Sequence, residues 1–177
     1  VATLYNGTTV NTHNVGDTIP VADWNNAAAI LNASNPAAKV WLTSVTAQSG
    51  ASGTFGSTIG SGGFTVGFQR GGMTASTSAV ITIPVAGVYL LSASWGSNAA
   101  TTSGGSLVQC QVLVNGASVA TGFGSASTSM YIGATATSLH LCAAGDLITF
   151  SYYNNASTVS FSAGEGGSSL SAMLISH

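Results

Sequence analysis

The chain has 177 residues, of which only 3% are charged, against about 25% in an ordinary soluble domain. Its net charge of −2 gives no electrostatic footprint for nucleic acid or for an anionic membrane surface, so neither is expected as a partner. That length suits one domain with a small appendage, able to bury roughly 70% of its unfolded surface without disulfide or metal staples.

The mean hydropathy of +0.43 raises the question of a membrane. The apolar run Ala79 to Ala93 is broken by Thr82, Pro84, Gly87 and Ser92. It is also shorter than the ~20 residues of a spanning helix, so no membrane span is expected. The first residues, VATLYNGTTVN, lack the basic and long apolar parts of a signal peptide. A leader already removed would leave the same start.

Taken in order, residues 1–15 are polar and mixed, with Asn6-Gly7 as a turn signal. In VGDTIPVADWNNAAAILNASNP, Pro20 fits a first helical turn, and Trp24, Ala28 and Leu31 share one helical face. Asn32, Asn35 and Pro36 end the helix. Such a short helix with a large Trp has nothing of its own to pack on, so it must dock on the domain, a second copy or something larger. Residues 1–36 therefore read as an attachment segment, with Asp17, Asp23, Trp24 and Leu31 as its candidate contacts.

From residue 37 onward the sequence reads as β, in about eight to ten short strands. KVWLTSV is a first strand, and QSGASGTFGSTIGSGG a Gly/Ser-rich connection. GFTVGFQR is a strand and GGMTASTS a loop. The centre is placed at AVITIPVAGVYLLSASW, residues 79–95. Ile81 and Ile83 point one way, Pro84 and Gly87 punctuate a turn between two strands, and the alternation resumes through Tyr89 and Leu91. Ile81, Ile83, Tyr89 and Leu91 are the expected core, and Gly87 is expected in a turn conformation poorly suited to a side chain. SLVQCQVLVNGASVATGF is a hairpin about Asn115-Gly116. A turn at Ala143 to Asp146 separates two further strands, and STVSF and SLSAMLIS close the chain. The class is all-β, a sandwich or jelly roll.

No constellation carries catalysis. The carboxylates are Asp17, Asp23, Asp146 and Glu165. Asp17 serves the turn or the helix dipole, Asp146 a turn, and Glu165 a solvated loop, where ligand contact is the competing role. His13, His140 and His177 have no close-spaced partner of the kind a zinc site uses, so no metal or cofactor is expected. A three-fold axis could still gather three copies of His140 if it leaves the outer face of its strand; a surface or interface histidine is the plainer reading. Cys110 is in phase with Val108, Val112 and Val114, taken as inward, while Cys142 is out of phase with Leu139 and Leu141. Opposite faces argue against a bridge and for free thiols. Of Tyr152 and Tyr153 one faces in and one out, where it meets a neighbouring subunit or stacks on a sugar ring.

ITIPVAGVYLLSAS resembles the signature of the C1q/tumour-necrosis-factor-like jelly roll, an aromatic followed at fixed spacing by Gly, Tyr and Phe. Here the positions are Ile81, Gly87, Tyr89 and Leu91, so both aromatic ends are aliphatic. LHLCAAGDLITF, VLVNGASVA and the terminal SLSAMLIS are similar to later strands of that family. The resemblance covers roughly residues 40–177 and implies a ten-stranded jelly roll assembled as a homotrimer. Axial calcium, known in some members, would find few acids here. The segment HNVGDTIPVADWNN is similar to one found in tailed-phage structural proteins ahead of such heads.

These readings imply a non-enzymatic trimeric protein of a virion surface, either capsid decoration, head fibre or short tail appendage. Its segment 1–36 would anchor to other virion proteins and its residues 37–177 would form the displayed head. The alternative is a receptor- or glycan-binding module, a tail-tip adhesin or soluble lectin, whose partner is a host-surface glycan or protein.

Overall fold

The structure is a computed structural model that describes residues 2–3, 9–10, 35–43, 46–48, 63–97, 106–126, 132–154 and 159–177. The expected helix lies outside the described residues, and so do Asp17, Asp23, Trp24 and Leu31. The strands begin with β1 (Ala2–Thr3), β2 (Thr9–Val10), β3 (Ala37–Leu42), β4 (Thr46–Gln48) and β5 (Phe64–Arg70). Then come β6 (Thr74–Ala75), β7 (Ile81–Thr82), β8 (Gly87–Gly96), β9 (Ser106–Val114) and β10 (Ala117–Ala126). The last four are β11 (Gly133–Cys142), β12 (Leu147–Asn154), β13 (Val159–Phe161) and β14 (Ser169–Ser176).

Ten of these strands form two five-stranded antiparallel sheets. Sheet one runs β11-β8-β14-β3-β5 and sheet two runs β10-β9-β12-β7-β6. The short ladders β1–β2 and β13–β4 are separate pairings, the second joined to the end of β8 by the Ser97–Phe161 bridge. Strict alternation builds the sandwich: all ten residues of β8 alternate buried and half-buried, and Val108, Cys110, Val112 and Val114 give β9 the same inward phase. Tyr89, Leu91, Ala93 and Trp95 from sheet one meet Ile148, Phe150 and Tyr152 from sheet two. Trp95, Tyr152 and Phe161 pack edge to face or tilted, with ring centroids 4.7–6.1 Å apart. The Trp95 indole N–H is not left unpaired by burial, because it donates to the Gln109 carbonyl of the other sheet at 2.8 Å.

The run from residue 79 to 95 differs from its sequence reading. β7 and β8 do not pair with each other; they belong to opposite sheets. Pro84 and its neighbours therefore make an inter-sheet crossing rather than a hairpin turn. β8 lies between β11 and β14, whereas β7 is the last strand but one of sheet two, paired through only two residues with β12. Ile81, Ile83, Tyr89 and Leu91 are all buried between the sheets. Gly87 is the first residue of β8, opposite Cys142, and its φ is not in the left-handed region. Space, not torsion, is what it lacks: a Cβ there would stand 2.6 Å from the Ser176 carbonyl oxygen.

The side of the sandwich where β10 meets β11 is closed without hydrogen-bond pairing between them. The inward positions of β10 are Gly122 and Gly124, and a Cβ at these sites would lie 1.8 and 2.0 Å from the carbonyl oxygens of Thr135 and Gly133. Backbone therefore packs on backbone, and the edge of β11 is covered by its neighbour strand.

Candidate functional site

The outer face of sheet one divides into two halves. Toward the β14 C-terminus, Val88 faces Leu141, and Leu90 sits between Leu139 and Met173. Leu139 is 63% exposed, Leu141 73% and Ile175 51%. Six apolar side chains thus share one end of one face, on strands that are already apolar on the inner face. Toward the other end the same three strands carry only hydroxyls, with Ser92 hydrogen-bonded to Thr137 and Ser94 to Ser169. On β3, Lys39 pairs with Glu165 at 3.2 Å, and the Trp41 ring occupies the space where a Gly67 side chain would stand.

The outer face of sheet two is of another kind. Ladder register sets Phe123, Gln109 and Tyr153 in one row and Thr121, Gln111 and Ser151 in the next. Phe123 is 66% exposed. Gln111 is held by Thr121 at 3.4 Å and by the Ser151 hydroxyl at 3.2 Å. The two rows contain no ionisable acid or base other than the Tyr153 phenol, and they join an aromatic face to fixed amide and hydroxyl groups.

At one end of the sandwich, Asp146 occupies the β11–β12 turn. Its two carboxylate oxygens accept from the Asn115 side-chain amide at 2.8 Å and from the Ala143 N–H at 2.7 Å. The turn role expected of Asp146 is the one it has. Glu165 is exposed and ion-paired with Lys39. His140 is a correction. It is in phase with the inward residues Ala134, Ala136 and Cys142, not with outward Leu139 and Leu141. His140 therefore does not leave the outer face of β11, the position from which three copies would meet on an axis. Cys142 is also corrected. It and Cys110 both face the interior from opposite sheets, and both are free. Burial pushes the Cys110 thiol up to about 12. Burial, with the Asp146 carboxylate adding to it, pushes Cys142 up to about 11. Neither offers a thiolate at neutral pH. Among the described residues no three His, Cys, Asp or Glu side chains converge to hold a metal ion.

The sequence alone does not mark Phe123, Leu139, Leu141 and Ile175 as surface residues. A signal for two of them exists: in β11 both phases carry apolar residues, Ala134 and Ala136 in one, Leu139 and Leu141 in the other. Apolar residues in both phases are the pattern of a strand with both faces covered, and among the described residues only the inner face of β11 is covered. The phase of the small residues was the inner one, because β11 lies against the backbone of β10 and has little room.

No protein-family model matches the chain, and no curated protein matches it. Solved structures do. Eiger TNF from S. frugiperda is similar with a TM-score of 0.58 at 10% identity, over 80% of this chain and 93% of that one. Murine APRIL is similar with a TM-score of 0.55 at 16% identity, over 80% of this chain and 99% of that one. With the sheet orders above, these likenesses show the fold to be a C1q/TNF-like jelly roll.

Proposed function

We propose that this chain is a non-enzymatic recognition head that assembles as a homotrimer through the outer face of sheet one. The observation that carries it is the apolar end of that face, where Val88, Leu90, Leu139, Leu141, Met173 and Ile175 stand together. Contiguous apolar patches of this kind are seldom left to water on monomers. The few charges of the chain remove the usual barrier to self-association, and the resemblance of ITIPVAGVYLLSAS to the C1q/tumour-necrosis-factor-like signature implies three copies.

Recognition falls to the outer face of sheet two. An aromatic side chain two-thirds exposed beside the Gln111 amide, which two hydroxyls hold, with no formal charge, suits a neutral glycan: one sugar face stacks and its hydroxyls bond. A glycan array probed with the full chain and with Phe123→Ala tests this. Binding to neutral glycans that the variant loses is expected; no binding by the full chain, or equal binding by the variant, contradicts it.

The finer placement is on a virion surface, with residues 1–36 as the anchor. Support comes from the segment HNVGDTIPVADWNN and from the Ala/Gly/Ser/Thr-rich, charge-poor composition. Particles lacking the protein, mixed with full-length or Trp24→Ala chain and sedimented, test it. The full chain should co-sediment and the variant much less. Equal co-sedimentation puts the anchor elsewhere, and none by the full chain removes the virion reading.

A further inference from the structure

The β9–β10 hairpin turns through Asn115 at φ 50 and Gly116 at φ 82. Both are exposed, and nothing lies within 4 Å of where a Gly116 Cβ would be. The Asn115 carboxamide is nevertheless used at both ends. Its Nδ2 donates to Asp146 Oδ1 at 2.8 Å, and its Oδ1 accepts from the Leu147 N–H at 2.9 Å. The Asn115 N–H donates to the Leu147 carbonyl at 2.9 Å. The β11–β12 turn that carries Asp146 is itself tied to the inter-sheet crossing: the Gly145 N–H donates to the Ile83 carbonyl and the Ile83 N–H to the Asp146 carbonyl. Asn115 is the hairpin's clasp on that junction.

An asparagine followed by glycine is the pair most open to deamidation, because no side chain hinders the glycine nitrogen. We propose that Asn115 is a deamidation site gated by this clasp, and that its modification unfastens this end of the sandwich. In the reaction the Gly116 nitrogen bonds to Asn115 Cγ, its proton passes to Nδ2, and ammonia leaves, closing a cyclic imide. Solvent water then opens the ring at either carbonyl, giving aspartate or isoaspartate at position 115. With the clasp closed, the carboxamide cannot turn toward Gly116 without giving up both of its side-chain hydrogen bonds. Once modified, the position has lost its donor and presents a carboxylate to the Asp146 carboxylate, where like charges repel. Isoaspartate also lengthens the backbone by one carbon at the tightest point of the hairpin. The gate therefore protects Asn115 while the fold is intact, and modification after an opening event hinders reclosure.

Full-length protein held at neutral pH and analysed by peptide mapping gives the rate at position 115. A synthetic peptide LVNGASV gives the rate without a fold. The folded chain should be slower by about tenfold or more, the factor that one or two hydrogen bonds represent. Asp146→Ala, which leaves the Leu147 N–H contact in place, should be faster than the folded wild type yet slower than the peptide. A folded chain that deamidates as fast as the peptide overturns the gate, and so does an Asp146→Ala chain no faster than wild type. The consequence of modification is tested separately, because Asp146→Ala also removes the Ala143 contact. Asn115→Asp should lower the urea midpoint, and Asn115→Asp combined with Asp146→Asn should restore it, since donor and acceptor then exchange places. A double variant no better than Asn115→Asp alone overturns the repulsion.

Discussion

Gly122→Ala tests the closure of the sandwich where β10 meets β11. A Cβ at position 122 would stand 1.8 Å from the Thr135 carbonyl oxygen and 2.4 Å from its carbon. That is ~1.6 Å short of ordinary contact, and the obstacle is backbone rather than the tip of a flexible side chain. Relief requires β10 to lift from β11, and with it part of the sheet-two edge that covers Ala134 and Ala136. Over-packing costs typically about 1–3 kcal/mol, and a backbone obstacle belongs at or above the top of that range. With a urea slope of about 2 kcal/mol per molar for a small domain, ~3 kcal/mol moves the midpoint down by roughly 1.5 M. Gly116→Ala is the informative companion, since that site has open space but φ +82. It should cost only the left-handed strain of about 1–2 kcal/mol. Thr121→Ala, on the exposed side of β10, should cost at most ~1 kcal/mol, the worth of the long hydrogen bond it accepts from Gln111. A Gly122→Ala midpoint equal to that of Thr121→Ala would refute the close approach of the two strands.

Two further outcomes follow from the interior. Ile81→Ala should lower stability by about 2–5 kcal/mol in a denaturation curve, because Ile81 is fully buried between the sheets. The two thiols make the fold sensitive to alkali. Unfolded thiols lose protons from their ordinary value of 9.0, whereas the folded ones keep them until about 11 and about 12. Over that window the unfolded chain binds fewer protons, so stability falls as pH rises, by up to about 1.4 kcal/mol per pH unit for each thiol. Urea midpoints taken on both sides of the ordinary thiol value should diverge, and less so in Cys110→Ala.

What the sequence made legible was local. Asn115-Gly116 declared its hairpin because both residues accept positive φ, and Ala143 to Asp146 its turn because Gly145 does the same at φ 91. Alternation declared the inner face of β8 and β9. The pairing of β8 was not legible, since its partners β11 and β14 come from far downstream and are joined to it by other strands. The inner phase of β11 was misjudged because size pointed one way and space the other. Leu139 and Leu141 look like core by hydrophobicity, but Gly122 and Gly124 bring β10 so near that only small side chains fit beneath. The same feature hid the candidate site: apolar residues on an outer face read as ordinary core until the sheet is assembled.

The mass of the assembly in solution tests the central claim most directly. Light scattering coupled to size exclusion, on the full chain at micromolar concentration, should give three times the chain mass of 17.4 kDa. The double variant Leu139→Asp/Leu141→Asp should run at a single chain mass with its far-ultraviolet spectrum unchanged, because both side chains leave the outer face and neither touches the core. A full chain that is monomeric, or a double variant that still assembles, would contradict association through this face.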